Sequence, residues 1–132
     1  MNLAGIGIDL THLSLKMLVG KVFAVFAWFM GVVWSQADVV GQLMGTKLIL
    51  NETIGYMDLI SVKETLTNKS FIIATFALCG FANFGSVAMQ IGGIGEIAPN
   101  IRKKLSKLGI KALICGTLAS YLSACIAGVL LS

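Results

Sequence analysis

Glu52 is a carboxylate in a place where carboxylates are costly. It follows Asn51 at the join of two short apolar runs, VVGQLMGTKLIL (Val39–Leu50) and TIGYMDLISV (Thr53–Val62). A charge inside an apolar membrane segment is ordinarily kept for a substrate, an ion or an internal partner. A carboxylate offering bidentate acceptance suits a vicinal diol or an amine. The bland alternatives are an ion pair with Lys47, or a tip that reaches water. Further on, CGFANFGS holds Asn83 and Ser86, spaced three apart and therefore on one face if the stretch is helical. Both bear hydrogen-bonding side chains, as suits a polar ligand, although Ser and Asn also serve as glue between membrane helices. Tyr56, Phe81 and Phe84 offer rings for stacking, a role that packing more often claims. Asp58 is open to two readings, the protein interior or the aqueous end of the segment.

Other patterns carry less. Gly93, Gly95 and Ala98 match G-x-G-x-x-A within GGIGEIA, but the residues before them belong to an uncharged run rather than a strand. The match is read as chance and its glycines as close-packing positions. Gly41 and Gly45 form a GxxxG packing signal. His12 has no partner set for a metal site or a triad. Cys79, Cys115 and Cys125 are odd in number, scattered and inside apolar runs, so they read as buried small hydrophobes without disulfide or zinc spacing. No nucleophile–base pair, phosphate loop or metal-ligand cluster stands out. The chain does not read as an enzyme.

The elements that must position Glu52, Asn83 and Ser86 follow from composition. Of 132 residues, 57% are hydrophobic and 12% charged, with one proline; mean hydropathy is +0.90. Soluble domains carry roughly 25% charged residues. A chain this short has too much surface to bury so much apolar area in a water-facing core, so lipid is the expected solvent. A span needs about 20 apolar residues. Three candidates emerge: Leu13–Trp34, with Lys16 and Lys21 near its start and Trp28 and Trp34 toward its far boundary; Phe71–Gly95, with no charge; and Leu108–Leu131. The paired half-length runs over 39–62 read as a re-entrant helical hairpin, entering and leaving on one side. One continuous span carrying Lys47, Glu52 and Asp58 is the costlier alternative. Gly80, Asn83, Gly85 and Ser86 break the second span into half-helices meeting near Phe81–Ser86, with its exit at Pro99.

Ten basic residues face six acidic ones, and five of the ten fall between Arg102 and Lys111. Flanked by uncharged runs, that cluster reads as a cytoplasmic loop over residues 100–107, not as a nucleic-acid patch. The C-terminus is then outside, the hairpin enters from the outer face, and the first span begins in the cytoplasm beside Lys16 and Lys21. The N-terminal MNLAGIGIDLTHL has no positive n-region and carries Asp9, so it does not read as a signal peptide.

GQLMGTKLILNETIGYMDL (Gly41–Leu59) and the stretch from FALCGFANFGS to the end (Phe76–Leu131) resemble the C-terminal part of the concentrative nucleoside transporter family. G-T-K-x-x-x-N-E and C-G-F-A-N carry the resemblance, and AWFMGV (Ala27–Val32) resembles the end of the span before the family's hairpin. The departures are Val25 for a usual proline and Thr53 for a usual aromatic. The resemblance implies an all-α membrane protein, one half of an inverted-repeat transporter, with spans over 13–34, 71–97 and 108–131 and a hairpin over 39–62. It implies a nucleoside importer driven by sodium or proton symport through alternating access, working as a homotrimer in a plasma or inner membrane. Glu52, Asn83 and Ser86 match the ribose-contacting positions, and Phe81 matches an aromatic beside the substrate. No cofactor is implied. Family members are much longer, so the base-reading hairpin and the ion site are expected on a missing N-terminal half or on full-length protomers. The alternatives are a non-transporting membrane scaffold and, from GGIGEIA alone, a soluble nucleotide-binding enzyme.

Overall fold

The computed structural model describes residues 15–131, so Leu13 and His12 lie outside the described residues. Those residues form six α-helices and no strand: α1 (Leu15–Phe29), α2 (Trp34–Ile49), α3 (Glu52–Ser61), α4 (Asn68–Leu78), α5 (Phe84–Ile97) and α6 (Arg102–Leu130). Short 3₁₀ turns at Lys63–Thr65 and Pro99–Ile101 precede α4 and α6.

Small residues set how closely the helices approach. A Cβ at Gly41 would lie 2.4 Å from the Gly20 carbonyl and 2.5 Å from the Ala24 nitrogen, so the α1 and α2 backbones meet almost directly. This is the close-packing role read for Gly41. Lys21 and Asp38 pair at 2.5 Å along the exposed side of the same contact. The corner between the two helices turns at Gly31, whose φ of 99° suits glycine. α6 closes over this corner, where a Cβ at Gly128 would lie 2.5 Å from the Met30 carbonyl. The shared core is rich in small side chains: Ala24, Ala27, Ala37, Ala74, Ala77 and Ala124 are buried beside Leu43, Met44, Leu59 and Ile73. Large apolar side chains point outward instead, among them Phe29, Trp34, Leu122, Ile126 and Val129. An apolar exterior over a small-residue interior is the pattern of helices that pack in lipid.

The expected boundaries shift in several places. The first span was read over 13–34, but α1 stops at Phe29 and Trp34 opens α2. Residues 71–97, read as a broken second span, hold most of α4 and all of α5, parted at 79–83 rather than near 81–86, because Phe84, Gly85 and Ser86 are already helical. The basic cluster is not a loop. Its residues form the first turns of α6, since the 3₁₀ turn at Pro99–Ile101 is followed by Arg102, Lys103, Lys104 and Leu105, which favour helix. Arg102 there reaches Glu96 at 3.7 Å. Among the described residues, one helix, Pro99–Leu130, is long and apolar enough to cross a membrane; Met17–Phe29 is a shorter apolar one. Cys79 and Cys115 are exposed rather than buried, and only Cys125 packs partly against the core. A helix with an apolar outer face has no need to turn its cysteines inward. Gly92 and Gly93 have nothing within 4 Å, so they do not pack closely, and GGIGEI lies inside α5 with no strand before it.

Gly41→Ala is expected to destabilise the fold by about 1–3 kcal/mol through overpacking. Gly92→Ala, in open space, should be neutral or mildly stabilising. Thermal midpoints of the detergent-solubilised complete protein check the contrast.

Candidate functional site

Two helices begin at the centre of the fold, and both begin on an asparagine. Asn51 is extended (φ −165°, ψ 172°), and its side-chain oxygen accepts the Ile54 N–H at 3.0 Å, starting α3. Asn83 is extended likewise (φ −145°, ψ 162°), and its Oδ1 accepts the Ser86 N–H at 2.7 Å, starting α5. These are N-caps, in which a short polar side chain satisfies an otherwise orphaned backbone donor. The three-residue spacing of Asn83 and Ser86 is therefore a capping interval. It does not reflect two residues on one helical face, because Asn83 stands outside the helix.

The two starts are joined. Asn83 Nδ2 donates to Glu52 Oε2 at 2.8 Å. Asn83 is 1% exposed and Glu52 is half-buried. Glu52 is the first residue of α3, where the positive end of the helix dipole favours a negative charge. An ionised carboxylate has about four acceptor positions, of which this bond uses one. The first turn of α5 lies against the tip of the α2–α3 hairpin, where a Cβ at Gly85 would make ordinary contact with the Leu50 carbonyl at 3.6 Å.

The break behind this pair is held by side chains. α4 ends at Leu78, and Gly80 takes a φ of 126°. Helix C-termini leave their last carbonyls without intrahelical donors. Ala77 O accepts from Lys47 Nζ at 3.4 Å and Cys79 O from Ser120 Oγ at 2.7 Å, while Thr75 O, which also receives the Cys79 N–H, accepts from Tyr56 Oη at 2.9 Å. Three different helices, α3, α2 and α6, thus serve one broken end.

The structure joins Glu52 to Asn83 directly, while Ser86 meets Asn83 through its backbone N–H and turns its side chain to the cleft between α5 and α6. Phe81 is set apart on the open edge, 78% exposed. It lines a cleft of about 440 Å³ between α5 and α6 with Ala82, Ser86, Gln90 and Gly116. Tyr56, weighed between stacking and packing, engages the α4 backbone through its hydroxyl. Lys47, the bland alternative as an ion-pair partner for Glu52, directs its ammonium to Ala77 O. Sequence reasoning missed Asn51 and Ser120. An asparagine immediately before a helical run is a recognisable start signal, whereas Ser120 lies 41 residues from its partner with nothing local to mark it.

Asn83→Ala removes a cap and a partner of Glu52, and should cost about 1–3 kcal/mol. Asn83→Asp keeps a capping oxygen but sets two carboxylates against each other. Thermal midpoints above pH 7 should fall for both, and that of Asn83→Asp should partly recover when the pH is lowered toward 4.

Comparison with known proteins gives a consistent picture. The family described as Na+ dependent nucleoside transporter C-terminus matches residues 1–128. Nucleoside permease NupC of Helicobacter pylori is 43% identical over 123 residues, 89% of this chain and 29% of the permease. Human solute carrier family 28 member 3 is 36% identical over 139 residues, 94% of this chain and 20% of that protein. The structure of CNTnw in an inward-facing substrate-bound state superposes with a TM-score of 0.80 at 40% identity, covering 88% of this chain and 29% of CNTnw. The chain spans less than a third of these relatives.

Proposed function

The chain belongs to the Na+ dependent nucleoside transporter C-terminus family, and from that premise we propose that it forms the ribose-binding part of a nucleoside symporter. The observation that carries the reading is the 2.8 Å bond from Asn83 to Glu52. It holds a carboxylate with unused acceptor capacity where two helix N-termini converge. A vicinal diol supplies two donors of the kind that carboxylate accepts. Ser86 and Phe81 line the adjoining cleft between α5 and α6, joined to Glu52 through Asn83. In this reading the sugar hydroxyls bind Glu52, Asn83 and Ser86, and Phe81 packs beside them.

The transport mechanism follows from the same architecture. Discontinuous helices near the midplane are where secondary transporters place substrate, and rocking of one repeat against another alternates access to it. A substrate-bound inward-facing CNTnw with this fold supports that reading. The α2–α3 hairpin enters and leaves the bilayer on one side. The basic start of α6 faces the cytoplasm, and the helix carries the C-terminus outward. The nucleobase contacts and the coupling ion, sodium or proton, belong to the remainder of a full-length protomer, which works as a homotrimer.

Glu52→Gln in the complete transporter should abolish nucleoside uptake into proteoliposomes; unchanged uptake with unchanged affinity removes Glu52 from the site. A hydrogen bond to a charged group contributes about 1.5–3 kcal/mol. A 2′,3′-dideoxynucleoside should therefore compete about 10- to 100-fold less well than its parent. Equal competition would favour a scaffold whose hairpin serves only helix packing.

A further inference from the structure

Lys47 is not among the sugar ligands proposed above, yet its placement is unusual. It is 2% exposed, on the last turn of α2, with its stem against α3: a Cβ at Gly55 would lie 3.5 Å from the Lys47 Cβ. Burying an ammonium among apolar helices is costly unless something fixed receives its charge. What receives it is the C-terminal end of α4, through Ala77 O at 3.4 Å. That end carries the negative pole of a helix dipole and carbonyls that the break leaves free. In transporters with discontinuous helices, carbonyls at such half-helix ends coordinate the coupling cation. Here the neighbouring carbonyls are already engaged, Thr75 O by Tyr56 and Cys79 O by Ser120.

We propose that Lys47 is a tethered cation, its ammonium occupying at the end of α4 the position a dissociable coupling ion would otherwise take, so that this half of the fold binds no ion of its own. The proposal rests on the transporter reading and deepens it. Lys47 is also a positioning residue for Glu52. Only four residues separate them, across the hairpin tip, so the anchor that holds Lys47 to α4 sets where the Glu52 carboxylate meets Asn83. A covalently held charge keeps the hairpin closed on α4 at every step of transport, whereas a free ion would release it each time the ion left.

The test uses the complete transporter in proteoliposomes, with nucleoside uptake measured at fixed sodium and ethylammonium chloride replacing choline chloride. Lys47→Ala should raise the nucleoside KM about tenfold or more, as loss of a charge-assisted contact does. Ethylammonium, matching the missing end of the side chain, should restore uptake several-fold in Lys47→Ala and leave the parent unaffected. In Lys47→Met, uptake should depend more steeply on sodium than in the parent, as an ion enters the vacated position. If Lys47→Ala does not fold, Lys47→Met, which retains the apolar stem, carries the measurement alone. The proposal is overturned if folded variants show the parent's KM and sodium dependence, or if their loss of uptake answers to neither ethylammonium nor sodium. Glu52→Gln run in parallel separates the two readings. Its failure beside parent-like Lys47 variants overturns the tethered cation alone, whereas parent-like uptake by Glu52→Gln overturns the sugar site.

Discussion

A helix that stops inside an apolar fold leaves carbonyls with no water to accept, and everything at the centre of this protein is arranged around that constraint. The last turn of α4 and the cap beyond it are answered by Tyr56, Lys47 and Ser120, one from each of three other helices. Unwound backbone is tolerated at membrane depth only when it is buried in protein or lines a cavity. Here it does both, since Cys79, Gly80 and Phe81 also border a cleft of about 440 Å³ along α6. The hairpin, the broken helix and α6 are consequently one unit. No member can move far without exposing a polar group that another now satisfies.

The two poles of the break carry opposite charge. At the carbonyl end stands an ammonium, Lys47; at the amide ends of α3 and α5 stands a carboxylate, Glu52. Each charge complements the dipole of the helix terminus it faces. A hairpin bearing both signs can therefore sit in apolar surroundings at less cost than either charge alone. Small residues make the arrangement reachable. Gly55 brings the hairpin close to Leu78 of α4, while Gly20 and Gly41 let α1 support it from outside.

Much of this was legible from residue types. Glu52 as the costly charge, the division of 39–62 into two helices and the break near Asn83 follow from where polar residues interrupt apolar runs; that Glu52 and Asn83 share a site is what the family resemblance implies. The register of those interruptions was harder. Asn83 and Ser86 read as one helical face because a spacing of three is shared by helix faces and N-caps, and only the extended backbone of Asn83 separates the two. Residues 102–107 read as a loop because charge signals an aqueous boundary, yet Arg, Lys and Leu are good helix formers and nothing after Pro99 breaks the helix. The cysteines and Gly92–Gly93 were misplaced for a common reason. Rules of burial learned in water do not say which side of an apolar helix faces a neighbour. Ser120 was invisible, since its partner is a backbone carbonyl 41 residues away.

The side chain of Asn83 divides its two ends between different duties. Its oxygen anchors the start of α5, and its nitrogen holds Glu52. On the proposed sugar-site reading, a hydroxyl meets the carboxylate at its unused acceptor positions while both Asn83 contacts stay made. On that reading ligand exchange costs no secondary structure, so occupancy can turn over without the surrounding helices having to melt and re-form.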